Sequence, residues 1–204
     1  MQKDVITLNI AILPDEKTKN SVIKMSKLLS SKISTHFVLG ENRLPHITIY
    51  QAAFPTKNIE KLKSVVSNIA SQVKNFQVGM DEISISHETF LFWNCIKSND
   101  LINLHNFVVE KCNPLREGNI IEGLPIQSAE DKYDVENYGS LLIGPRFSPH
   151  ITIARIKNEL DQDSAIKTAS QLSKDGFNVS NIIVGELAEH GTVTKIISTF
   201  PLLP

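Results

Sequence analysis

Two copies of one short motif carry the residues best suited to chemistry. The pentapeptide Pro-His-Ile-Thr-Ile occupies residues 45–49 and recurs unchanged at residues 149–153, 104 positions later. An imidazole can donate or accept a proton near neutral pH, and a threonine hydroxyl can donate a hydrogen bond to an anionic oxygen. The duplicated motif therefore predicts a site where proton transfers act on a small anion.

The arrangement of the motif residues follows from strand geometry, because neighbouring side chains of a β-strand point to opposite faces. In the first copy this alternation places His46, Thr48 and Tyr50 on one face and the isoleucines in the core. His150 and Thr152 share a face of the second strand in the same way. If the two strands meet across a cleft, two imidazoles and two hydroxyls face one phosphate-sized space.

The repeat extends into the elements around each motif. Each copy is followed by a predicted helix, over residues 58–74 or 161–175, and then by a strand that begins Phe-Gln-Val at residue 76 or Phe-Asn-Val at residue 177. Further strands are predicted over residues 4–13 and 89–96, and further helices start after Asp15 and Ser98. Gly176 is predicted to end the last helix as its C′ residue.

These elements predict an α+β fold with two pseudo-symmetric lobes, each an antiparallel-rich sheet flanked by helices, and a central cleft. We interpret residues 1–204 as a single bilobal domain. Between residues 113 and 147 glycines and prolines interrupt every pattern, which predicts a long loop. Loops of such length are usually functional lids or disordered segments.

Composition and charge exclude several classes of protein. The chain has 204 residues, 41% hydrophobic and 21% charged, and a formal net charge of -1, which is typical of a globular domain. Binding of a long duplex requires many basic contacts to phosphates, so any nucleic-acid substrate should be short or an end. Cys95 and Cys112 lack the spacing of a disulfide framework or a zinc site and are expected to be buried thiols. No segment has the length of a membrane span, so we expect a cytoplasmic protein. We also expect a monomer.

Other roles for the histidines and their neighbours remain open at this point. Both motif histidines could be structural, and zinc binding is a further alternative, although His36, His87, His105 and His190 are scattered without ligand spacing. Tyr50 shares the histidine face and could stack on a base. Arg155 has the opposite strand parity to His150, so it reaches the cleft only if a bulge or the strand end redirects it.

Two H-x-T motifs about a hundred residues apart resemble the 2H phosphoesterase superfamily, which includes the LigT-like RNA 2′,3′-cyclic phosphodiesterases and 2′-5′ RNA ligases. The second copy, His-Ile-Thr-Ile-Ala-Arg at residues 150–155, is especially similar to the form of the motif in that family. The similarity covers nearly the whole chain, since the order of elements around each motif also fits.

The resemblance implies catalysis by His46 and His150 as a general acid–base pair, with phosphate bound by Thr48 and Thr152. It does not identify which histidine is the base. It implies no metal and no cofactor, and its substrates would be RNA ends or small cyclic nucleotides. The reverse reaction, ligation of RNA ends through a 2′-5′ bond, and a non-catalytic nucleotide-binding module are the alternatives.

Overall fold

Nine strands and five helices make up the fold in the computed structural model, which describes residues 4–86 and 89–204. The strands are β1 (Val5–Ile12), β2 (Ile47–Pro55), β3 (Phe76–Val78), β4 (Met80–Ser86), β5 (Phe90–Cys95), β6 (His150–Arg155), β7 (Phe177–Val179), β8 (Asn181–Leu187) and β9 (Val193–Pro201). The helices are α1 (Glu16–Lys32), α2 (Ile59–Ala70), α3 (Asn99–Cys112), α4 (Ala129–Tyr138) and α5 (Gln162–Ala169).

Seven of these strands form one antiparallel sheet in the order β4-β5-β6-β2-β1-β8-β9. The two motif strands are neighbours at its centre, where Ile47 pairs with Ile151. These isoleucines hold the same position in the two copies of the motif, so their pairing marks a pseudo-two-fold axis. The same symmetry relates β3 and β7, which pair antiparallel with Gln77 opposite Asn178. The predicted α+β class and its pseudo-symmetry are confirmed.

Each lobe takes elements from both copies of the repeat. We call β1, β2, β8 and β9 with α2 and α3 the His46 lobe, and β4, β5 and β6 with α1 and α5 the His150 lobe. Strand β4 follows the first motif in sequence but pairs with β5 in the His150 lobe. Strand β8 follows the second motif but pairs with β1 in the His46 lobe. The lobes are therefore interlocked rather than consecutive along the chain.

The hydrophobic core fills the space between the sheet and the helices. Ile47, Ile49, Ile151 and Ile153 are at most 1% exposed, as the alternation of the motif predicts. Burying each such side chain contributes about 1.5–3 kcal/mol. The same burial fixes the strand faces, because a slip of one residue would send the isoleucines to solvent and the histidines into the core.

The predicted helix starts are confirmed. Asp15 caps α1 by accepting the backbone N–H of Thr18 at 2.8 Å, and Ser98 caps α3 by accepting that of Leu101 at 3.3 Å. In both cases a side-chain oxygen satisfies one of the backbone donors that a helix N-terminus leaves unpaired.

Two predicted helix ends are wrong. Helix α2 ends at Ala70 and α5 at Ala169, several residues before the ends predicted from periodicity. Beyond Ala169 the backbone bonds shorten to three-residue turns, and Leu172 N donates to Ala169 O. Gly176 is not a helix cap. A Cβ there would lie 2.4 Å from the carbonyl oxygen of Val78, so glycine is required by the close approach of two backbones.

The predicted long loop over residues 113–147 is also corrected, because it contains α4. Ser128 caps this helix by accepting the N–H of Asp131, and Gly139 ends it in the left-handed conformation at φ 69°. Arg146 pairs with Asp131 and with Asp134, the latter at 3.1 Å. Periodicity misses α4 because ion pairs and caps, rather than an apolar stripe, hold most of it.

The structure also provides information on membrane-spanning helices and on the two cysteines. No helix within residues 4–86 and 89–204 combines the length and the apolar character needed to cross a membrane. Cys95 and Cys112 are buried free thiols, and burial raises the pKa of each to about 12. At such values both side chains stay protonated at neutral pH and behave as small apolar groups.

Candidate active site

A cleft of about 650 Å³ opens on the sheet face that the core does not occupy. His46, Thr48, His150 and Thr152 all line it, so the structure brings together the four residues that the motif predicts. Each histidine precedes one member of the central Ile47–Ile151 pair in an antiparallel arrangement. The pseudo-two-fold axis therefore runs between the two imidazoles.

The two imidazoles are held in the same tautomer. His46 Nδ1 lies 2.8 Å from the carbonyl oxygen of Leu44, and His150 Nδ1 lies 2.7 Å from that of Ser148. A carbonyl oxygen can only accept, so Nδ1 carries the hydrogen in both rings. The Nε2 atoms are the ring nitrogens that can exchange protons with a ligand. The matching bonds, each to the residue two positions earlier, repeat the symmetry of the motif.

Asn9 of β1 distinguishes the first motif from the second. Its Nδ2 donates to Thr48 Oγ1 at 2.9 Å and to His46 Nε2 at 3.3 Å. The latter bond requires an unprotonated Nε2, so it favours the neutral form of His46. Asn9 is completely buried, and its Oδ1 has no hydrogen-bond partner among the described residues. Its amide thus fixes both reactive groups of the first motif.

His150 has an aromatic neighbour instead of an amide. The Phe92 ring stacks on the imidazole with 3.6 Å between ring centroids and 16° between ring planes. Among the described residues no donor contacts His150 Nε2. The imidazole is therefore held in position by a carbonyl and an apolar surface, and its Nε2 faces the cleft without a competing group.

Burial sets the protonation of both histidines. It lowers the pKa of His46, against a smaller opposing effect of the hydrogen bond to Leu44. It lowers the pKa of His150 to about 4, where the charge of His46 adds a further decrease. Both rings are therefore neutral near pH 7 in the free cleft. An anion between them would raise both values, because a nearby negative charge stabilises an imidazolium.

A β-bulge in each motif strand redirects the residues beyond the threonine. On β6, Thr152 pairs with Phe92 and Ala154 with Leu91, which leaves Ile153 without a partner. The extra residue reverses the alternation, so Arg155 lies on the histidine face and lines the cleft. This is the redirection that the sequence requires for Arg155 to reach the cleft.

A β-bulge on β2 likewise directs a residue that the sequence analysis missed into the cleft. Ile49 is the unpaired residue there, between Thr48 and Tyr50, and Gln51 consequently lines the cleft. Gln51 and Arg155 each follow their motif histidine by five positions. The repeat itself is the signal that could have identified Gln51, once one bulge was assumed. Asn9 had no such signal, because it lies outside the motif on β1.

The bulge also removes Tyr50 from the candidate substrate contacts. Tyr50 is only 1% exposed, and its hydroxyl lies 2.7 Å from the carbonyl oxygen of Tyr138 and 3.1 Å from Asn113 Oδ1. Its ring cannot stack on a base, since neither face is open. Tyr50 instead anchors the segment around α4 to the motif strand.

The remaining described histidines divide into a structural one and a neighbouring pair, of which one member lines the cleft. His105 is 1% exposed, donates from Nδ1 to Ile49 O at 2.6 Å and accepts the N–H of Gly144 at Nε2, so both ring nitrogens are satisfied. His36 and His190 lie together, with 5.0 Å between their ring centroids, and His190 lines the cleft. His87 lies outside the described residues.

No group of three or more His, Cys, Asp or Glu side chains within residues 4–86 and 89–204 could hold a metal ion. The side chains that line the cleft offer proton transfer by imidazoles and hydrogen bonding by hydroxyls and a guanidinium.

Comparison with known proteins identifies the family. Residues 32–190 match the model of the 2′-5′ RNA ligase superfamily, a span that contains both H-x-T motifs. The chain therefore belongs to this superfamily of 2H phosphoesterases. A search of curated protein sequences found no match.

Solved structures agree on the fold. The structure of TT0787 from Thermus thermophilus matches with a TM-score of 0.67 at 14% identity, over 97% of this chain and 98% of that one. The apo form of E. coli LigT matches with a TM-score of 0.60 at 14% identity, over 99% of this chain and 100% of that one. The fold of this chain is thus similar to that of both proteins over nearly the whole length of each.

Proposed function

We propose that the protein is a metal-independent phosphodiesterase that hydrolyses 2′,3′-cyclic phosphates, or related 2′-5′ linkages, on RNA ends or small nucleotides. The observation that carries the proposal is the pair of imidazoles whose Nε2 atoms face one cleft, each accompanied by a threonine hydroxyl. Superfamily membership supports a phosphoesterase of this type.

His46 is the general base in this mechanism. Its Nε2 is unprotonated, as the hydrogen bond from Asn9 requires, and the 3.3 Å length of that bond leaves it easily displaced by water. The base takes a proton from this water while the water oxygen attacks phosphorus. Protonation of His46 in the resting state is disfavoured, because it would set its Nε2–H against an amide donor.

His150 is the general acid. When an anionic phosphate enters the cleft, it raises the pKa of both imidazoles. In this mechanism the proton occupies His150, because no donor among the described residues contacts its Nε2. His150 gives that proton to the ribose oxygen as its bond to phosphorus breaks. The products are a phosphomonoester and a free ribose hydroxyl, and one proton exchange with solvent restores both rings.

Thr48 and Thr152 bind the non-bridging oxygens of the phosphate. Because Thr48 Oγ1 accepts its hydrogen bond from Asn9, its own hydroxyl proton remains available for the substrate. Such donors are worth most when they face the charge that grows in the transition state.

What is known of a structural neighbour is consistent with a phosphate site. E. coli LigT has been crystallised with phosphate and with 3′-AMP, and these structures cover 99% and 98% of this chain, at TM-scores of 0.52 and 0.53 and identities of 15% and 16%. The net charge of -1 favours short substrates over long duplexes, whose binding depends on neutralising many phosphates.

The test is product analysis in the presence of EDTA. The protein is incubated with nucleoside 2′,3′-cyclic monophosphates and with short oligonucleotides that end in a cyclic phosphate, and products are identified by chromatography and ³¹P NMR. We expect phosphomonoesters, with no product from a variant that carries both His46→Ala and His150→Ala.

Three outcomes would contradict the proposal in different ways. Tight binding of these nucleotides without turnover would indicate a non-catalytic binding module. Joined oligonucleotides in place of hydrolysed ones would indicate a ligase. Activity that EDTA abolishes and that Zn²⁺ or Mn²⁺ restores would indicate a metal-bound hydroxide in place of the histidine pair.

A further inference from the structure

One wall of the cleft is formed by a turn instead of a strand of the sheet. Residues 139–144 follow α4, and we call them the wall turn. Its residues Ser140, Leu141 and Leu142 line the cleft. Both leucines are only partly buried, so part of each apolar side chain remains open to the cleft. The proposed reaction at the two histidines uses none of these side chains.

The backbone of the wall turn is strained at Leu142. This residue has φ 61°, in the left-handed region that residues with a Cβ atom rarely occupy. A conformation of this kind persists only where the surrounding structure imposes it, and such residues cluster at sites that hold ligands. The strain therefore marks the wall turn as a candidate ligand contact.

Hydrogen bonds hold the wall turn against the first motif strand. His105 donates from Nδ1 to the carbonyl oxygen of Ile49, the bulged residue of β2, and accepts the N–H of Gly144 at Nε2, at 3.0 Å. The carboxylate of Asp134 accepts the N–H of Ile143 at 3.3 Å. The wall turn is thus fixed relative to the motif strand before a ligand binds, which lowers the entropic cost of binding.

Two polar side chains in the cleft have no hydrogen-bond partner within the part of the chain that the structure describes. Ser140 is 1% exposed and lines the cleft, yet its hydroxyl makes no hydrogen bond. The side-chain amide of Gln51, on β2, also lines the cleft without a hydrogen bond. Buried polar groups are normally hydrogen-bonded, so these two groups favour a ligand that supplies donors and acceptors.

A second segment extends the apolar surface of the wall turn. Ile121 and Leu124 line the cleft and are partly buried, and the backbone N–H of Ile121 donates to the carbonyl oxygen of Gly139 at 3.4 Å. Neither residues 121–127 nor the wall turn contain a basic residue, and Glu122 carries a negative charge. A carboxylate repels a phosphate, so this side of the cleft suits an uncharged part of the substrate.

We propose that the wall turn, together with Ile121 and Leu124, is the subsite for the nucleobase of the nucleotide that carries the reacting phosphate. This inference rests on the proposed function and narrows its substrate class to nucleotides, since a cyclic phosphate on another diol has no base to offer. A base has an apolar face for the leucines, and the donors and acceptors at its edge can pair with Ser140 and Gln51.

The experiment compares kcat/KM for adenosine 2′,3′-cyclic monophosphate with that for the 2′,3′-cyclic phosphate of 1-O-methylribose. The two probes carry the same reacting group and the same charge, and only the first has a base. We expect kcat/KM to be about tenfold or more higher for the nucleotide, because the loss of apolar contacts in a pocket has an effect of this size.

Variants of the wall turn assign this preference to the subsite. Leu142→Gly removes the apolar side chain and adopts the left-handed conformation without strain, so folding is not at risk. It should lower the ratio of the two kcat/KM values to near one. Ser140→Ala removes the unpaired hydroxyl and should lower the ratio about three- to tenfold, the usual value of a hydrogen bond.

Ile126→Ala is the matched control. Ile126 belongs to the same segment as Leu124 but does not line the cleft, and its side chain is 52% exposed. Its truncation removes apolar groups without touching the proposed subsite, so the ratio should stay that of the unmodified protein.

Equal kcat/KM for the two probes in the unmodified protein would overturn the subsite, and so would an unchanged ratio in Leu142→Gly or Ser140→Ala. If neither probe is turned over, the proposed function fails, and calorimetric binding then tests the subsite separately. Tighter binding of adenosine 3′-phosphate than of 1-O-methylribose 3-phosphate, lost in Leu142→Gly, would support the subsite. Equal binding of the two would overturn it.

Discussion

The two copies of the motif have identical letters and different surroundings. In the His46 copy, a buried amide from β1 bonds both the imidazole and the hydroxyl. In the His150 copy, an aromatic ring stacks on the imidazole and no donor among the described residues reaches its Nε2. A duplicated sequence thus supplies two equal groups, and the neighbouring strand makes them unequal. Acid–base catalysis needs that inequality, because one group must hold a proton that the other lacks.

Removal of either imidazole should have the largest effect on activity. His46→Ala and His150→Ala should each lower kcat by about 10²–10⁴, the usual value of one proton transfer. Initial rates with a cyclic phosphate substrate measure this, with circular dichroism and thermal melting as controls for folding. A single variant with unchanged kcat would show that its histidine transfers no proton.

The pH dependence of the unmodified protein tests the effect of burial on both copies at once. Because burial lowers the pKa of each imidazole, that of His150 to about 4, the free protein holds one shared proton only below pH 6.5. The maximum of kcat/KM should therefore lie below pH 6.5, with a fall of about tenfold per pH unit above it. The maximum of kcat should lie at higher pH, since bound phosphate raises both values.

The same shifts predict how stability changes with pH. Unfolded histidines take up protons below pH 6.5, whereas the buried ones resist protonation, so the unfolded state binds more protons there. The free energy of unfolding should consequently fall as pH drops from 6.5 towards 4, and inorganic phosphate should oppose that fall. A kcat/KM maximum above pH 7, or a stability independent of pH over this range, would contradict the neutral, buried assignment.

Substitutions of Asn9 can make the surroundings of the two motif histidines more alike or less alike. Asn9→Asp places a carboxylate beside His46 Nε2 and should raise the pKa of His46, which moves the acidic limb of the rate profile upward and lowers kcat at acidic pH about tenfold or more. Asn9→Leu, of similar size, should lower kcat with a much smaller shift in pH. NMR titration of the His46 ring measures the pKa directly. Identical pH profiles in the two variants would show that Asn9 only fills space.

Substitutions of the two threonines should give the smallest difference in activity between the two copies of the motif. Thr152→Val removes one donor to the phosphate and should cost a few-fold in kcat/KM, whereas Thr48→Val also leaves an N–H of buried Asn9 unpaired and should cost about tenfold. Steady-state kinetics on one cyclic phosphate measures both. Equal losses would mean that the bond from Asn9 to Thr48 contributes nothing to the site.

The sequence predicts those features of the site that are local. The sequence predicts His46, Thr48, His150 and Thr152 from a repeat and from strand alternation, and each copy of the repeat is a short stretch of sequence that can be recognised without knowledge of the fold. The bulges at Ile49 and Ile153 are not predicted, because an isoleucine in a bulge and one in a regular strand are indistinguishable in sequence. The incorrect prediction for Tyr50 and the omission of Gln51 both follow from the one-residue shift in register that the bulge at Ile49 causes.

Sequence patterns do not predict features that depend on contacts between residues far apart in the chain. Asn9 meets His46 only because β1 pairs with β2 in a particular register. Likewise, His36 and His190 are far apart in the chain and adjacent in the fold. Helix α4 has few apolar residues, so its stability depends on Arg146, which lies outside it. Histidines that are scattered in a sequence can therefore be neighbours in the fold.

The exchange of strands between the lobes has a consequence for folding. Strand β8 completes the sheet of the His46 lobe by pairing with β1, so two strands that are far apart in sequence must meet before this sheet is complete. Contacts between residues so distant in sequence give a high contact order, which slows folding. Neither copy of the repeat can form a finished sheet by itself, so a chain cut between them should lack a stable core. We expect one cooperative unfolding transition, with the two imidazoles assembled only as the last strands dock.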